Sequence, residues 1–392
     1  MSVRVAIEVP DSDVAFARVC SQPVVLRLAL GAHRGGATEL ILHGPRAADA
    51  EAVLRADPRT KVLSIRVGDP SDATIVAKAD VALATEVWKR LVAADAPHTV
   101  PGAPGLERRG DGPVTPLYDD PPRGCWATSI VDAAGRQRAK KLIFANITKT
   151  TSGPISRYFN SRLSIPLSKI LVETPMTPNQ MTLLNTVLGV IGGAAAAIGT
   201  LEALAFSGVM LQLTSALDRN DGELARSKMM ESERGAWMDS VGDNITYLAY
   251  VLGLVVGYAR FASTDGVSWA PYAFPVGLGM LVATAGLIGW MFWYVRRQRL
   301  GGTMTAIQYH FEQEVEEGRR GLLFRFFQKV KVLGERDQFS LIGGILAVLP
   351  WLLHRPGVFH ALAFVVASFI VLANVYFLGG AWKAGRGRRI AS

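Results

Sequence analysis

The residues best equipped for chemistry stand between positions 218 and 243. They read D-R-N-D-G-E-L-A-R, an eight-residue spacer, then G-A-W-M-D-S-V-G-D, placing aspartates at 218, 221, 239 and 243. Asp218, Asp221, Gly222 and Ala225 fall at i, i+3, i+4 and i+7 and share one helical face. Gly235, Asp239 and Asp243 form a second stripe at i, i+4, i+8. Both stripes border apolar segments, where uncompensated carboxylates are costly, so something must neutralise them. A divalent metal is the simplest candidate. Arg226 adds a fixed cation suited to a phosphate oxygen, and Gly222 and Gly235 permit close approach of a substrate or a backbone.

These side chains need two neighbouring helices joined by a short polar turn around Ser227 to Arg234. With the stripes facing each other, the aspartates would hold one or two hard cations through oxygen, Mg²⁺ or Mn²⁺ by chemistry. The competing bland reading is a solvated acidic turn between membrane helices.

The pattern D218-x2-D221-G222-x2-A225-R226-x8-G235-x3-D239-x3-D243 resembles the signature of the CDP-alcohol phosphotransferase (CDP-alcohol phosphatidyltransferase) family, with every specified position filled. The resemblance implies transfer of a substituted phosphate from a CDP-alcohol donor to an acceptor hydroxyl, with CMP leaving. Asp218, Asp221, Asp239 and Asp243 would be the metal ligands of a two-ion site, and Asp243, last on its stripe, the catalytic general base. Gly222, Ala225, Arg226 and Gly235 would cradle the cytidine diphosphate. A T-P-N-x-x-T segment near the family's nucleotide adds Asn179 and Thr182. The family also implies a homodimer. Within T-P-N-Q-M-T, capping alone accounts for Thr177 and Pro178 as the start of a helix.

Composition divides the chain. Residues 1–145 alternate short apolar runs (Val3–Val9, Glu39–Leu42, Lys61–Val67, Val81–Ala84) with helix-like stretches (Pro23–Ala32, Ala47–Arg55, Glu86–Ala94), the pattern of an α/β layer domain. Its fusion to the acidic-motif half resembles bifunctional inositol-phosphate cytidylyltransferase/di-myo-inositol-phosphate-phosphate synthases. A glycine-rich phosphate loop should follow the first strand, but Val9 is followed by P-D-S-D-V-A-F-A-R, so this domain reads as catalytically degenerate and structural. The Pro- and Gly-rich stretch Thr99 to Arg123 reads as a long surface loop. Cys20 and Cys125 show no disulfide or metal spacing. No signal peptide is evident at the start.

Residues 146–175 read as a juxtamembrane interfacial helix, mixing Ile155, Phe159, Leu163, Leu167 and Ile170 with Arg157, Arg162 and Lys169 and interrupted near Pro166. Residues 176–392 contain apolar runs at roughly 181–200, 202–220, 236–259, 270–295, 338–353 and 358–382, each near the ~20 residues a crossing needs. The fold class is therefore an all-α polytopic membrane domain of six transmembrane helices with an N-terminal cytosolic α/β domain resembling a degenerate nucleotidyltransferase. Lys and Arg gather with the motif, in the cytosolic insert 297–337 and in the tail (Lys383, Arg386, Arg388, Arg389), so both termini and the active site should face the cytoplasm of an inner-membrane protein. The net charge of +9 tracks this topology. No groove-reading motif accompanies it, which excludes nucleic acid as a partner. The partners implied are the CDP-alcohol donor, a hydroxyl acceptor (lipid, inositol or inositol phosphate) and membrane lipids, and Arg336 is a candidate for an acceptor phosphate. The six histidines lack zinc spacing.

The donor remains open between CDP-diacylglycerol, in phospholipid-type biosynthesis, and CDP-inositol, in a di-myo-inositol-phosphate-phosphate synthase-like reaction. A reading of another class, an ion-coupled membrane transporter using the carboxylates, would call for internal repeats, and the hydropathy pattern has none.

Overall fold

The computed structural model describes residues 3–147, 156–298, 336–368 and 370–371. It divides into two compact units. The first comprises Met1–Thr150, Ser168–Pro175 and Glu223–Met230, and the second Thr151–Leu167, Met176–Gly222 and Glu231–Ser392.

In the first unit the strands are β1 (Arg4–Glu8), β2 (Arg18–Val19), β3 (Gln22–Pro23), β4 (Glu39–His43), β5 (Ser64–Val67), β6 (Ile75–Lys78), β7 (Val81–Leu83), β8 (His98–Thr99), β9 (Glu107–Arg108), β10 (Thr115–Pro116) and β11 (Ala127–Ser129). Helices α1 (Val24–Gly35), α2 (Ala47–Ala56), α3 (Thr85–Ala93) and α4 (Ala133–Ala145) pack among them. The main sheet runs β10-β8-β9-β6-β1-β4-β5. Its centre is parallel, β1 pairing with β4 and β6, and β4 with β5. Val5, Ala6, Ile7, Leu40, Ile41 and Leu42 are fully buried, as expected of central parallel strands covered on both faces.

The α/β expectation therefore holds, with two additions. Strand β6 lies beside β1 although its four residues, I-V-A-K, are too short to announce themselves. The stretch expected as a plain loop from Thr99 to Arg123 contributes β9 and β10 to the sheet edge. After β1 there is a single helical turn, Asp13–Phe16, in place of a glycine-rich loop. Arg46, which follows β4, pairs with Asp13 and lies over the Phe16 ring, 4.4 Å from its centroid.

The segment Glu223–Met230 belongs with this unit. It ends α7 (Leu201–Ser227), and its Leu224, Ser227, Lys228 and Met229 are all buried. The amide of Met230 donates to Ala225 O (2.7 Å) and that of Met229 to Arg226 O (3.3 Å). Those two bonds form a Schellman ending, whose left-handed position is filled by Met229 at φ 55° where glycine is usual. Lys228 Nζ donates to Thr174 O at 2.6 Å, and burial pushes its ammonium below the usual lysine range.

The second unit is helical: α5 (Ser161–Leu171) begins in it, followed by α6 (Pro178–Ala196), most of α7, α8 (Glu233–Thr264), α9 (Ala270–Gln298), α10 (Arg336–Leu352) and α11 (Pro356–Ser368). A capping box starts α6: Thr177 accepts from the Gln180 amide, Gln180 accepts from the Thr177 amide, and Pro178 occupies the first turn. On the stretch entering α5, Asn160 and Ser164 are buried and polar. Gln212 Nε2 donates to Asn160 Oδ1 (3.0 Å), and Asn220 Nδ2 to Ser164 O (2.8 Å). Tyr158, Phe159 and Leu163 instead face outward, an arrangement suited to a lipid interface.

Among the described residues two helices, Glu233–Thr264 and Ala270–Trp293, are long and apolar enough to cross a membrane. Ser340–Leu352 and Pro356–Ser368 are shorter apolar helices. The expected six crossings are thus not all met by this measure, because α6 and α7 trade apolar residues for the Asn, Thr and Asp that the site needs. The insert 297–337, the tail after 371 and most of the last expected crossing lie outside the described residues.

The α6/α8 seam is built of small residues. A Cβ on Gly253 would lie 2.0 Å from Gly193 O, and one on Gly242 2.5 Å from Thr186 Oγ1. Backbone cannot retreat as a flexible side chain can. Gly253→Ala should therefore lower thermal stability in detergent by about 1–3 kcal/mol. Gly279→Ala, which meets nothing within 4 Å, should leave it unchanged or raised; equal melting temperatures for the two variants would refute the seam.

Candidate active site

Helices α7 and α8 deliver the acidic stripes across the short turn that ends at Ser232. Ser232 caps α8 by accepting from the Gly235 amide at 3.0 Å. Asp218 and Asp221 from α7 and Asp239 from α8 each present a carboxylate oxygen, and these oxygens all lie within 4.8 Å of one another. Asp221 is buried, while Asp218 and Asp239 are partly so.

Asp243 is half-buried one turn further along α8 and is not one of these three. Helix α6 supplies the surrounding donors. Thr182 Oγ1 donates to Asp221 Oδ2 at 2.6 Å, and Asn185 Nδ2 donates to Asp218 Oδ1 at 3.2 Å.

Asp221 lies just beyond the apolar run 202–220. Burial, followed by the charges of Asp218 and Asp239, pushes its carboxyl up to about 8, against the pull of the Thr182 hydroxyl and the Gly222 amide. Three carboxylates this close require a proton or a cation among them. The donor set is all oxygen, which fits a hard divalent ion such as Mg²⁺ or Mn²⁺. Thr182 and Asn185 fit the role of groups that orient such ligands.

The other expected residues sort as follows. Asn179 is exposed at the start of α6 and stands against Gly235, where an added Cβ would lie 3.5 Å from Asn179 Oδ1. Thr182, expected beside a nucleotide, engages Asp221. Gly222 follows Asp221 directly on α7. Ala225 and Arg226 lie in the last two turns of α7, within the segment grouped with the first unit, and Arg226 Nε donates to Ile147 O at 2.9 Å. Arg336 opens α10, and its side chain lies outside the described part.

Asn185 was not singled out from the sequence. Its signal was there, three residues after Thr182 on the same helical face within an otherwise apolar run. Beside the cluster, an apolar groove of about 310 Å³ is lined by Thr182, Thr186, Trp237, Gly242 and Ile245, with exposed Arg234 also at its wall.

Apolar helices that pool carboxylates from two neighbouring segments define a helical acidic-site domain, and comparison with known proteins shows what it is similar to. Residues 175–315 match the family model for CDP-alcohol phosphatidyltransferase. The match covers about a third of the chain and includes Asp218, Asp221, Asp239 and Asp243.

The chain is also similar to proteins named bifunctional IPC transferase and DIPP synthase. It is 35% identical over 149 residues to that of Thermococcus kodakarensis (38% of this chain, 32% of the relative). Against that of Aquifex aeolicus it is 28% identical over 248 residues (63% and 48%), and against that of Rubrobacter xylanophilus 33% over 129 residues (33% and 29%). The chain thus spans less than half the length of each of these relatives.

Thr182→Val removes the hydroxyl that orients Asp221 and keeps the side chain's shape. It should weaken Mn²⁺ binding by roughly 10-fold or more, measured by calorimetric titration or by the electron-spin signal of free Mn²⁺. Unchanged affinity would show that Asp221 needs no such partner.

Proposed function

We propose that this chain transfers a substituted phosphate from a CDP-alcohol to an acceptor hydroxyl, releasing CMP, in a reaction that requires Mg²⁺ or Mn²⁺. The observation that carries the reading is the convergence of Asp218, Asp221 and Asp239 within 4.8 Å, on helices of a domain matching the CDP-alcohol phosphatidyltransferase family. When bound, divalent ions would neutralise the donor's pyrophosphate and the charge that builds on departing CMP.

Asp218, Asp221 and Asp239 would hold such ions, with Asp243 as a further ligand if two are present. Thr182 and Asn185 fix the first two carboxylates in rotation. Asp243 accepts the proton of the acceptor hydroxyl at a carboxylate oxygen as the phosphorus–oxygen bond forms and the bond to CMP breaks. Asn179, Gly222, Ala225, Arg226 and Gly235 make the cradle for the cytidine diphosphate, and Arg336 meets an acceptor phosphate.

The apolar groove that shares Thr182 with the site favours a partner with a hydrocarbon portion, so CDP-diacylglycerol or a similar lipid donor is the first reading. The names of the relatives, DIPP synthases among them, favour a second, transfer from CDP-inositol to a soluble acceptor. We assign the protein to the cytoplasmic membrane, with site and termini at the cytoplasmic face, on the distribution of Lys and Arg and the outward apolar side chains before and within α5, and the homodimer on the family resemblance alone.

Purified protein offered a panel of CDP-alcohols with Mg²⁺ should release CMP, and chelation should stop it. Asp243→Asn should lower kcat by about 10²–10⁴-fold while Mn²⁺ binding persists. Asp221→Asn should lose both activity and Mn²⁺ binding. CMP release that survives chelation, or its absence with every donor, would overturn the proposal.

A further inference from the structure

Three arginines of the α/β unit converge on one turn of backbone. Arg27 Nη1 donates to Ser227 O at 2.6 Å, Arg34 Nη2 to Met229 O at 3.0 Å, and Arg59 Nη1 to Lys228 O and Met229 O at 3.0 and 3.1 Å. The Ser227 carbonyl closes α7 and those of Lys228 and Met229 follow it in the turn, at the negative end of the helix dipole. Their residues are buried, so solvent is a poor substitute for the guanidinium groups.

The Arg59 group is itself held in place. Its Nε and Nη2 form a fork on Asp57 (2.8 and 2.6 Å), and Nη2 also donates to Gln22 Oε1 at 2.7 Å. Two arginines come from α1 and the third from the turn after α2, so rigid parts of the α/β layer carry them.

We propose that this clasp is a positioning device for the acidic motif, and that holding the end of α7 is the task of the α/β unit. The inference rests on the reading that Asp218 and Asp221 serve the transfer reaction. Helix α7 runs unbroken from Leu201 to Ser227, so its end turn and these aspartates share one rod. Gly222 follows Asp221 and is the weakest helix former in the stretch. Unwinding from Ser227 needs to travel little more than one turn to reach it, and would then release the Asp221 carboxylate from its register with Asp239.

The turn's own backbone preference works against its shape. The left-handed position is occupied by Met229 rather than glycine, a conformation that persists only where its surroundings enforce it. The clasp also gives the α/β unit a role that needs no glycine-rich phosphate loop.

Full-length protein in detergent, as wild type, Arg27→Ala, Arg59→Ala and Arg59→Lys, tests this in two arms. In the first, hydrogen exchange at the amides of Lys228, Met229 and Met230 should accelerate at least about 10-fold in both alanine variants, less in Arg59→Lys, while α6 amides stay protected. In the second, kcat for CMP release should fall about 10-fold or more in the alanine variants, with the donor KM changed less than about 3-fold and partial rescue by lysine. Where an alanine variant fails to fold, Arg34→Lys, which alters one bond, is read in the same two arms with smaller expected changes.

Exchange that stays at the wild-type rate overturns the clasp. Faster exchange with unchanged kcat overturns its positioning role and leaves a merely structural contact. If wild type is inactive with every donor, the transferase reading has failed, and the exchange arm alone decides whether the arginines hold the helix end.

Discussion

Mutual repulsion among the carboxylates of Asp218, Asp221 and Asp239 is the constraint around which the helical unit is arranged. No folded chain gathers three acids, one of them buried, without surrounding them with compensation. Here compensation begins with Thr182 and Asn185 on α6, each donating to one acid. It continues in the sharp α7/α8 turn, which keeps the two stripes on adjacent helices. What remains uncompensated is the preference of an all-oxygen cluster for a hard cation.

The α/β unit answers a different problem, how to end a helix whose last residues are buried. Dipole and orphan carbonyls at the end of α7 are met by arginine side chains rather than by glycine and water. The α/β unit provides the stiffness for this, since α1, which carries two of those arginines, is buried along much of its length and packs against α3. Meanwhile the Asp13–Arg46 pair and Phe16 occupy the neighbourhood where an α/β sheet of this kind offers a ligand its crevice.

Much of this was legible in the residues. The aspartate spacing placed Asp218, Asp221 and Asp239 on facing stripes because helical periodicity is a local property, and Thr177-Pro178 announced the start of α6 for the same reason. Of the four parallel strands, β1, β4 and the edge strand β5 fell within runs read as strands. Strand β6 did not, because four residues between polar neighbours carry too little pattern; only pairing with β1 makes them a strand. Asn185 shares a helical face with Thr182, but its role follows only from the acid it faces, Asp218. The grip of Arg27, Arg34 and Arg59 was likewise hidden, since it joins positions about two hundred residues apart by bonds to backbone, which has no sequence signature.

The glycine seam between α6 and α8 bears on how the molecule moves. Two helices in backbone contact at Gly193 and Gly253 cannot slide or roll past each other without collision, so they behave mechanically as one body. Whatever breathing admits a ligand to the acidic cluster must then be sought along other helix borders, with the α6/α8 pair as the fixed jaw against which the rest opens.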